Sequence, residues 1–398
     1  MNNSSTLSPS SAPSTAPDPR NVPRNVPGNA PRTVPFSYLD RQFADVESYL
    51  SDVAQLVRSG QFTLGEPLGQ FEETFARHCG CPHAIGVGSG TDALNLSLKA
   101  LGIGPGDEVI TTPNTFIATV GAIAMSGATP VFVDSDEGFV LDPGKIEAAV
   151  TERTRAILPV HYTGNVADMP AIMAIAARHR LHVVEDACQA IGAQVSGRPV
   201  GSWGATAAFS LHPLKNINVW GDGGVIITHQ DDLARRLRLL RNHGLVHRDE
   251  AVLFGHNSRL DTLQAVIGNR LIGQLPWITE RRIANAAQYD RLLSDLQPHV
   301  RVPPRRPGVR HVYHLYVVRA RAREGLLAFL QERAVEAKVH YPVPVHLQPA
   351  AKHLGYREGD FPVCESDAHQ VITLPAHQYV TEDQIKFVCD LIREFYGL

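Results

Sequence analysis

The stretch Phe209-Ser210-Leu211-His212-Pro213-Leu214-Lys215-Asn216-Ile217-Asn218-Val219-Trp220-Gly221-Asp222-Gly223-Gly224 sets a lysine just beyond a short apolar strand, with proline and glycine close by. That strand belongs to a series. The runs His83–Val87, Glu108–Thr111, Thr129–Val133, Arg155–Val160, His182–Glu185, Ala207–Leu211 and Val225–Thr228 all read as short apolar strands. Helical spacing fills intervals at Thr91–Leu101, Thr115–Ser126 and Met169–His179. Strands apolar on both faces that alternate with helices predict an α/β fold, a mainly parallel sheet with helices on each side. Such sheets place reactive groups at strand ends, which is where Lys215 stands. A lysine there becomes a Schiff-base nucleophile if its pKa is lowered. Taken alone it reads more simply as a solvated loop lysine.

Two further segments narrow the chemistry. In Val183-Val184-Glu185-Asp186-Ala187-Cys188-Gln189 two acids end an apolar strand. A carboxylate there suits a pyridinium nitrogen, or else it caps the next helix. Adjacent strand residues point to opposite faces, so only one of the two acids faces a site. In Gly86-Val87-Gly88-Ser89-Gly90-Thr91-Asp92 a glycine-rich turn opens a helix. Its backbone N–H groups and dipole suit a phosphate, although an ordinary tight turn has the same form. It is neither a Walker loop nor a dinucleotide fingerprint, because the lysine and the G-x-G-x-x-G spacing are missing. Together the three segments call for a phosphate, a cationic ring nitrogen and an aldehyde. Pyridoxal 5′-phosphate (PLP) has all three.

The flanks extend the architecture. Helical spacing is predicted over 41–58, 68–78, 233–242, 258–274, 324–332 and 381–396, with a strand over 312–319. The later mixture of strand and helix predicts a small α+β domain at 271–398, after a large domain at 36–270. Residues 1–35 hold 8 of the 28 prolines and no aromatic residue, and read as a disordered tail.

Composition excludes other classes. With 37 Lys and Arg against 40 Asp and Glu, the formal net charge is −3, which gives no global attraction to nucleic acid or an acidic membrane. No apolar stretch approaches the ~20 residues that a membrane span needs. The five cysteines are odd in number and scattered, which predicts reduced thiols rather than a disulfide framework. Cys79-Gly80-Cys81 lacks a second ligand pair, so no metal site is expected. No secretory signal is visible, and the expected location is cytoplasmic.

From Phe36 onward the sequence resembles the sugar aminotransferases of the DegT/DnrJ/EryC1/StrS type, within the fold type I PLP enzymes. The resemblance rests on Gly88–Leu94, Thr112-Pro113-Asn114-Thr115-Phe116, Pro159-Val160-His161, Glu185–Gln189, the Lys215 segment, Asn257-Ser258-Arg259-Leu260-Asp261 and His340-Tyr341-Pro342-Val343-Pro344. It implies that Lys215 holds PLP covalently and then shuttles a proton. It implies that Asp186 pairs with the ring nitrogen, Gln189 bonds the ring oxygen and Phe116 stacks on the ring. Gly90, Thr91 and Ser210 then cradle the phosphate, and Asn257 reaches the phosphate of the neighbouring subunit, which makes a homodimer the active unit. His314 and Tyr341 fall on the substrate side. His161 and His212 touch the cofactor or satisfy a backbone group, and Arg305, Arg306 and Arg310 steer a phosphate or are plain surface charge. The implied reaction moves an amino group from L-glutamate or glutamine to a keto-sugar, in a pathway to an antibiotic or surface glycan. Asp222, where many 4-amino-sugar relatives have Glu, leans towards a 3-keto sugar. Three rivals stay open: a sugar dehydratase, disfavoured by Lys215; a non-catalytic regulatory relative; and a dinucleotide-binding dehydrogenase, disfavoured by the glycine spacing.

Overall fold

Seven strands build the central sheet of the computed structural model, which describes residues 33–398. They are β1 (His83–Val87), β2 (Glu108–Thr111), β3 (Thr129–Phe132), β4 (Thr154–Ile157), β5 (His182–Asp186), β6 (Thr206–Ser210) and β7 (Gly224–Thr228). Their order is β1-β7-β6-β5-β4-β2-β3. Every pairing from β6 to β3 is parallel, whereas β7 runs antiparallel to both β6 and β1. The two reversals cancel, so β1, β2, β5 and β6 all end at the same edge.

Alternation along the strands feeds two cores. Val183, Ala207, Phe209, Val225 and Ile227 pack with Phe71, Phe75 and Ile172 on one face. Val184, Ala208 and Ile226 pack with Leu94, Leu98, Ile123 and Leu237 on the other. The first face is covered by α3 (Glu66–His78), α6 (Met169–His179) and α8 (Thr262–Ile272), the second by α4 (Gly90–Ala100), α5 (Ile117–Ser126) and α7 (Asp231–Leu240). In α7 the buried Leu233, Ala234, Leu237 and Leu240 form one apolar stripe, as the helical period requires.

Three expectations shift. The helix predicted over 41–58 is two, α1 (Leu39–Gln42) and α2 (Val46–Ser59). The break lets the Phe43 ring meet Tyr49 and Trp220, 5.3 and 5.7 Å between centroids. The helix predicted over 258–274 is α8, and a further helix, α9 (Leu275–Leu293), continues from it. Pro276 lies in the first turn of α9, where its missing N–H costs nothing, so the chain restarts there. The strand predicted over 312–319 begins only at Tyr316. Before it, Val312 and Leu315 donate their N–H groups to Gly164 and Thr163 instead, and Tyr313 has φ 47°.

The C-terminal part has its own core. Strands β8 (Val300–Arg301), β9 (Tyr316–Ala320) and β10 (Val371–Leu374) pair antiparallel. Helices α9, α10 (Arg323–Glu332) and α12 (Glu382–Tyr396) bury Tyr289, Leu293, Leu326, Leu330, Ile385, Val388 and Ile392 against them, and α11 (Pro362–Gln370) leads into β10. Val34 joins this core and bridges to Val335, so the chain is packed before Phe36. Residues 1–32 of the expected tail lie outside the described residues. Among the described residues the five cysteines are free, and no helix is long and apolar enough to cross a membrane.

Candidate active site

The edge where β1, β2, β5 and β6 end collects the chemistry. From β1 the chain turns through Gly88 and Ser89 into α4, and Ser89 caps that helix by accepting from the Asp92 N–H at 3.0 Å. Gly90 is required by its neighbours. A Cβ there would stand 2.9 Å from both Cys188 Sγ and Ser210 Cβ. Gly90 thus lies tight against Cys188 and Ser210 at the N-terminus of α4, with Thr91 next in the helix, a place that favours an anion.

The two acids of β5 part company. Glu185 is fully buried and turned away from this edge. It accepts from the N–H groups of Gly201, Trp203 and Gly204 at 2.8–2.9 Å and contacts His161 at 3.1 Å. Asp186 faces the site. Its Oδ2 accepts from Thr119 at 2.7 Å and its Oδ1 from the Cys188 N–H at 3.1 Å. Thr115 adds a 2.7 Å hydrogen bond to Thr119, which fixes that hydroxyl.

Lys215 lies near Cys188 and Asp186. Burial lowers its pKa, against the opposing pull of those two groups. Burial pushes the Cys188 thiol well up, so it stays protonated beside the lysine. Gln189 accepts from the Thr163 N–H at 2.7 Å, which leaves its amide N–H groups to face Tyr341. Burial also lifts the Tyr341 hydroxyl to about 12, so it is a neutral donor. The Phe116 ring is half-exposed and tilts against Tyr341, 5.7 Å between centroids. His314 joins the group: burial holds it well below its usual range, with the Lys215 charge adding to the effect.

Other expected residues are elsewhere. Asn257 is exposed and accepts from Arg259 at 2.9 Å. His161 is buried, accepts from the Ala167 N–H and serves Glu185. His212 is exposed, its Nδ1 against the Pro213 carbonyl at 2.6 Å. Arg305 pairs with Asp290, Arg310 with Glu280, and Arg306 bonds the Val166 carbonyl. Sequence reasoning missed Thr119 and Tyr38. Thr119 was signalled by its i, i+4 spacing from Thr115; nothing marked Tyr38, which reaches the Lys215 loop from the far end of the chain.

An amine with a lowered pKa, a bonded carboxylate, an amide donor and a glycine cradle fit PLP. The family model for the DegT/DnrJ/EryC1/StrS aminotransferase family matches residues 44–393. The chain belongs to this family. A curated relative, the dTDP-3-amino-3,4,6-trideoxy-alpha-D-glucose transaminase of Streptomyces venezuelae, is 43% identical and covers 91% of this chain and 96% of its own. The pleiotropic regulatory protein of Geobacillus stearothermophilus is 45% identical over 91% of this chain and 98% of its own. The crystal structure of S. venezuelae DesV with a ketimine intermediate superposes with a TM-score of 0.89 at 43% identity, covering 92% of this chain and 99% of that one. This DegT/DnrJ/EryC1/StrS member is thus a fold type I enzyme, a PLP-dependent sugar aminotransferase. Among its solved structural neighbours, one from Bacillus subtilis holds PMP and a putative sugar aminotransferase from Streptococcus pneumoniae is in the PLP form.

Proposed function

We propose that this enzyme moves the amino group of L-glutamate or L-glutamine to the keto carbon of a nucleotide-linked 3-keto sugar, as a cytoplasmic homodimer. The observation that carries the reading is the grouping at one sheet edge of Lys215, a buried amine whose pKa burial lowers, with Asp186 and Cys188 beside it, and Cys188 in turn against Gly90. Bound PLP supplies an aldehyde and an electron-poor ring that stabilises negative charge on the adjacent carbon. The protein does the rest. With the cofactor bound, the Lys215 amine would take the proton from the amino-bearing carbon of the donor and, in the second half-reaction, would give a proton to the sugar carbon that receives the amine. Asp186, oriented by Thr119, holds the proton on the ring nitrogen. Gln189 donates to the ring oxygen, Phe116 covers the ring face, and Gly90, Thr91 and Ser210 take the phosphate. Neutral His314 and Tyr341 present donors to the sugar, and Asn257 serves the neighbouring subunit's phosphate.

The 3-keto preference draws on Asp222 and on the activities named for relatives. These include a UDP-N-acetyl-3-dehydro-alpha-D-glucosamine 3-aminotransferase of Acidithiobacillus ferrooxidans, 40% identical. The regulatory name of the Geobacillus relative favours no second reading, because Lys215, Asp186 and Gln189 are all present.

The test is an absorbance spectrum of the PLP-loaded protein, before and after L-glutamate, for wild type and Lys215→Ala. A visible band that gives way to a near-ultraviolet one, and is absent from the variant, is expected. A visible band indifferent to every amino donor overturns the transamination reading.

A further inference from the structure

Leu214, immediately before the lysine, has φ 73°, a left-handed conformation that an L-residue keeps only when its surroundings hold it. The holder is Tyr38. Its hydroxyl lies 3.0 Å from the Leu214 carbonyl and 3.1 Å from that of Lys215. The Asn218 amide donates to the same Lys215 carbonyl at 2.9 Å. Tyr38 is in turn held by Arg282, whose guanidinium carbon sits 5.2 Å from the ring centroid.

Arg282, on α9, is 2% exposed and makes no ion pair with a carboxylate among the described residues. Its Nε donates to Gln378 at 3.0 Å, and its Nη1 to the carbonyls of Tyr313 and His314 at 3.1 and 3.2 Å. Gln378 donates to Gln42 at 3.2 Å, and Gln42 to Asn218 at 2.7 Å. A continuous chain of buried polar groups therefore joins the Lys215 carbonyl to the His314 carbonyl. Nη2 has no partner and borders a cavity of about 20 Å³ between Tyr38, Leu214, His314 and His377, room for about one water. A buried cation without a carboxylate is costly. An apolar side chain would fill the same space more cheaply if packing were its whole purpose.

We propose that Tyr38 and Arg282 are positioning residues for Lys215. They fix the backbone of 214–215 so that the amine is aimed at the cofactor aldehyde, and they lock that aim to the position of His314. The inference rests on the PLP reading. It is tested on the full chain with two ligands: PLP, and 4′-deoxypyridoxine 5′-phosphate, which keeps ring and phosphate but has no aldehyde for the lysine. In Tyr38→Phe, which deletes one oxygen, PLP binding is expected to weaken about 10-fold and its visible band to form more slowly by a similar factor, since small misplacements of a reacting group are costly. Binding of the deoxy ligand is expected to change by less than about 3-fold, because it never meets the lysine. Arg282→Met is expected to show the same split. Equal weakening of both ligands, or no weakening of either, overturns the proposal. Wild-type protein that forms no visible band with PLP overturns the parent reading instead.

Discussion

Glu185 and Asp186 are adjacent carboxylates with opposite duties, and substitution separates them. Removing the Glu185 carboxylate orphans three buried backbone donors and His161. Glu185→Ala is expected to destabilise the fold by about 3–5 kcal/mol, read from urea unfolding. Asp186→Asn keeps the shape but not the charge. Its melting temperature is expected to stay near wild type while PLP is lost on dialysis. Gly90→Ala tests the cradle. A Cβ placed 2.9 Å from Cys188 Sγ and Ser210 Cβ forces one of them aside, and overpacking of this kind costs about 1–3 kcal/mol. A PLP titration is expected to show roughly a 10-fold loss of affinity, partly recovered in Gly90→Ala/Cys188→Gly. At this scale the sequence was informative wherever a residue sits at a strand end, because strand alternation alone separates Glu185 from Asp186. It was silent on Tyr38, since a contact spanning 177 residues leaves no local pattern.

Elements were legible where one periodicity ran unbroken and illegible where a tertiary contact cut it. The seven central strands were readable because most of their positions are buried and each run is mainly apolar. The α1–α2 break was not, because the contacts made there, the Gln42 bond to Asn218 and the Phe43 ring against Trp220, lie far off in sequence. The seam between α8 and α9 had a local mark in Gly273, Gln274 and Pro276. The long helix after it carries a mixed surface, with buried Arg282 and Asn285 among its apolar residues, which blurs the stripe. The terminal helix is the clearest case of local coding. Thr381 accepts from the Gln384 N–H at 3.2 Å and Gln384 reaches back to the Thr381 N–H at 3.0 Å. Thr381→Ala is expected to cost about 1 kcal/mol, seen as a lower unfolding midpoint with the PLP spectrum unchanged.

For the whole molecule, the buried histidines set a limit on the acid side. Burial holds His311 and His314 well below the ordinary value of 6.5, His340 at about 4 and His377 at about 3. Nearby cations act in the same direction: Arg305 beside His311, Lys215 and Arg282 beside His314, Lys215 and Lys338 beside His340, and Arg282 and Arg41 beside His377. The hydrogen bonds show why a second proton is unwelcome. His311 Nδ1 accepts from the Tyr313 N–H at 2.9 Å, and His377 Nδ1 from the Tyr379 N–H at 3.3 Å. Protonating either nitrogen puts two donors face to face. Below pH 6.5 the unfolded chain takes up protons that the folded chain refuses, so stability falls as pH drops. The fall runs from 6.5 to the folded values of about 4 and 3, with a slope of up to about 1.4 kcal/mol per pH unit for each histidine. Carboxylates with lowered values, Glu147 and Glu365, lose their contribution only below their ordinary 4.5, and Asp136 and Asp367, raised by burial, oppose the fall, so the decline in the upper part of the window comes from the histidines. Urea unfolding between pH 7.5 and 4.5 is expected to show a continuous decline beginning near 6.5. His377→Gln is expected to be less stable at pH 7.5, where the bonds to Pro35 and Tyr379 are lost, yet to decline less steeply below 6.5, because one of the refused protons is gone. An unchanged slope in that variant would place the acid sensitivity elsewhere in the fold.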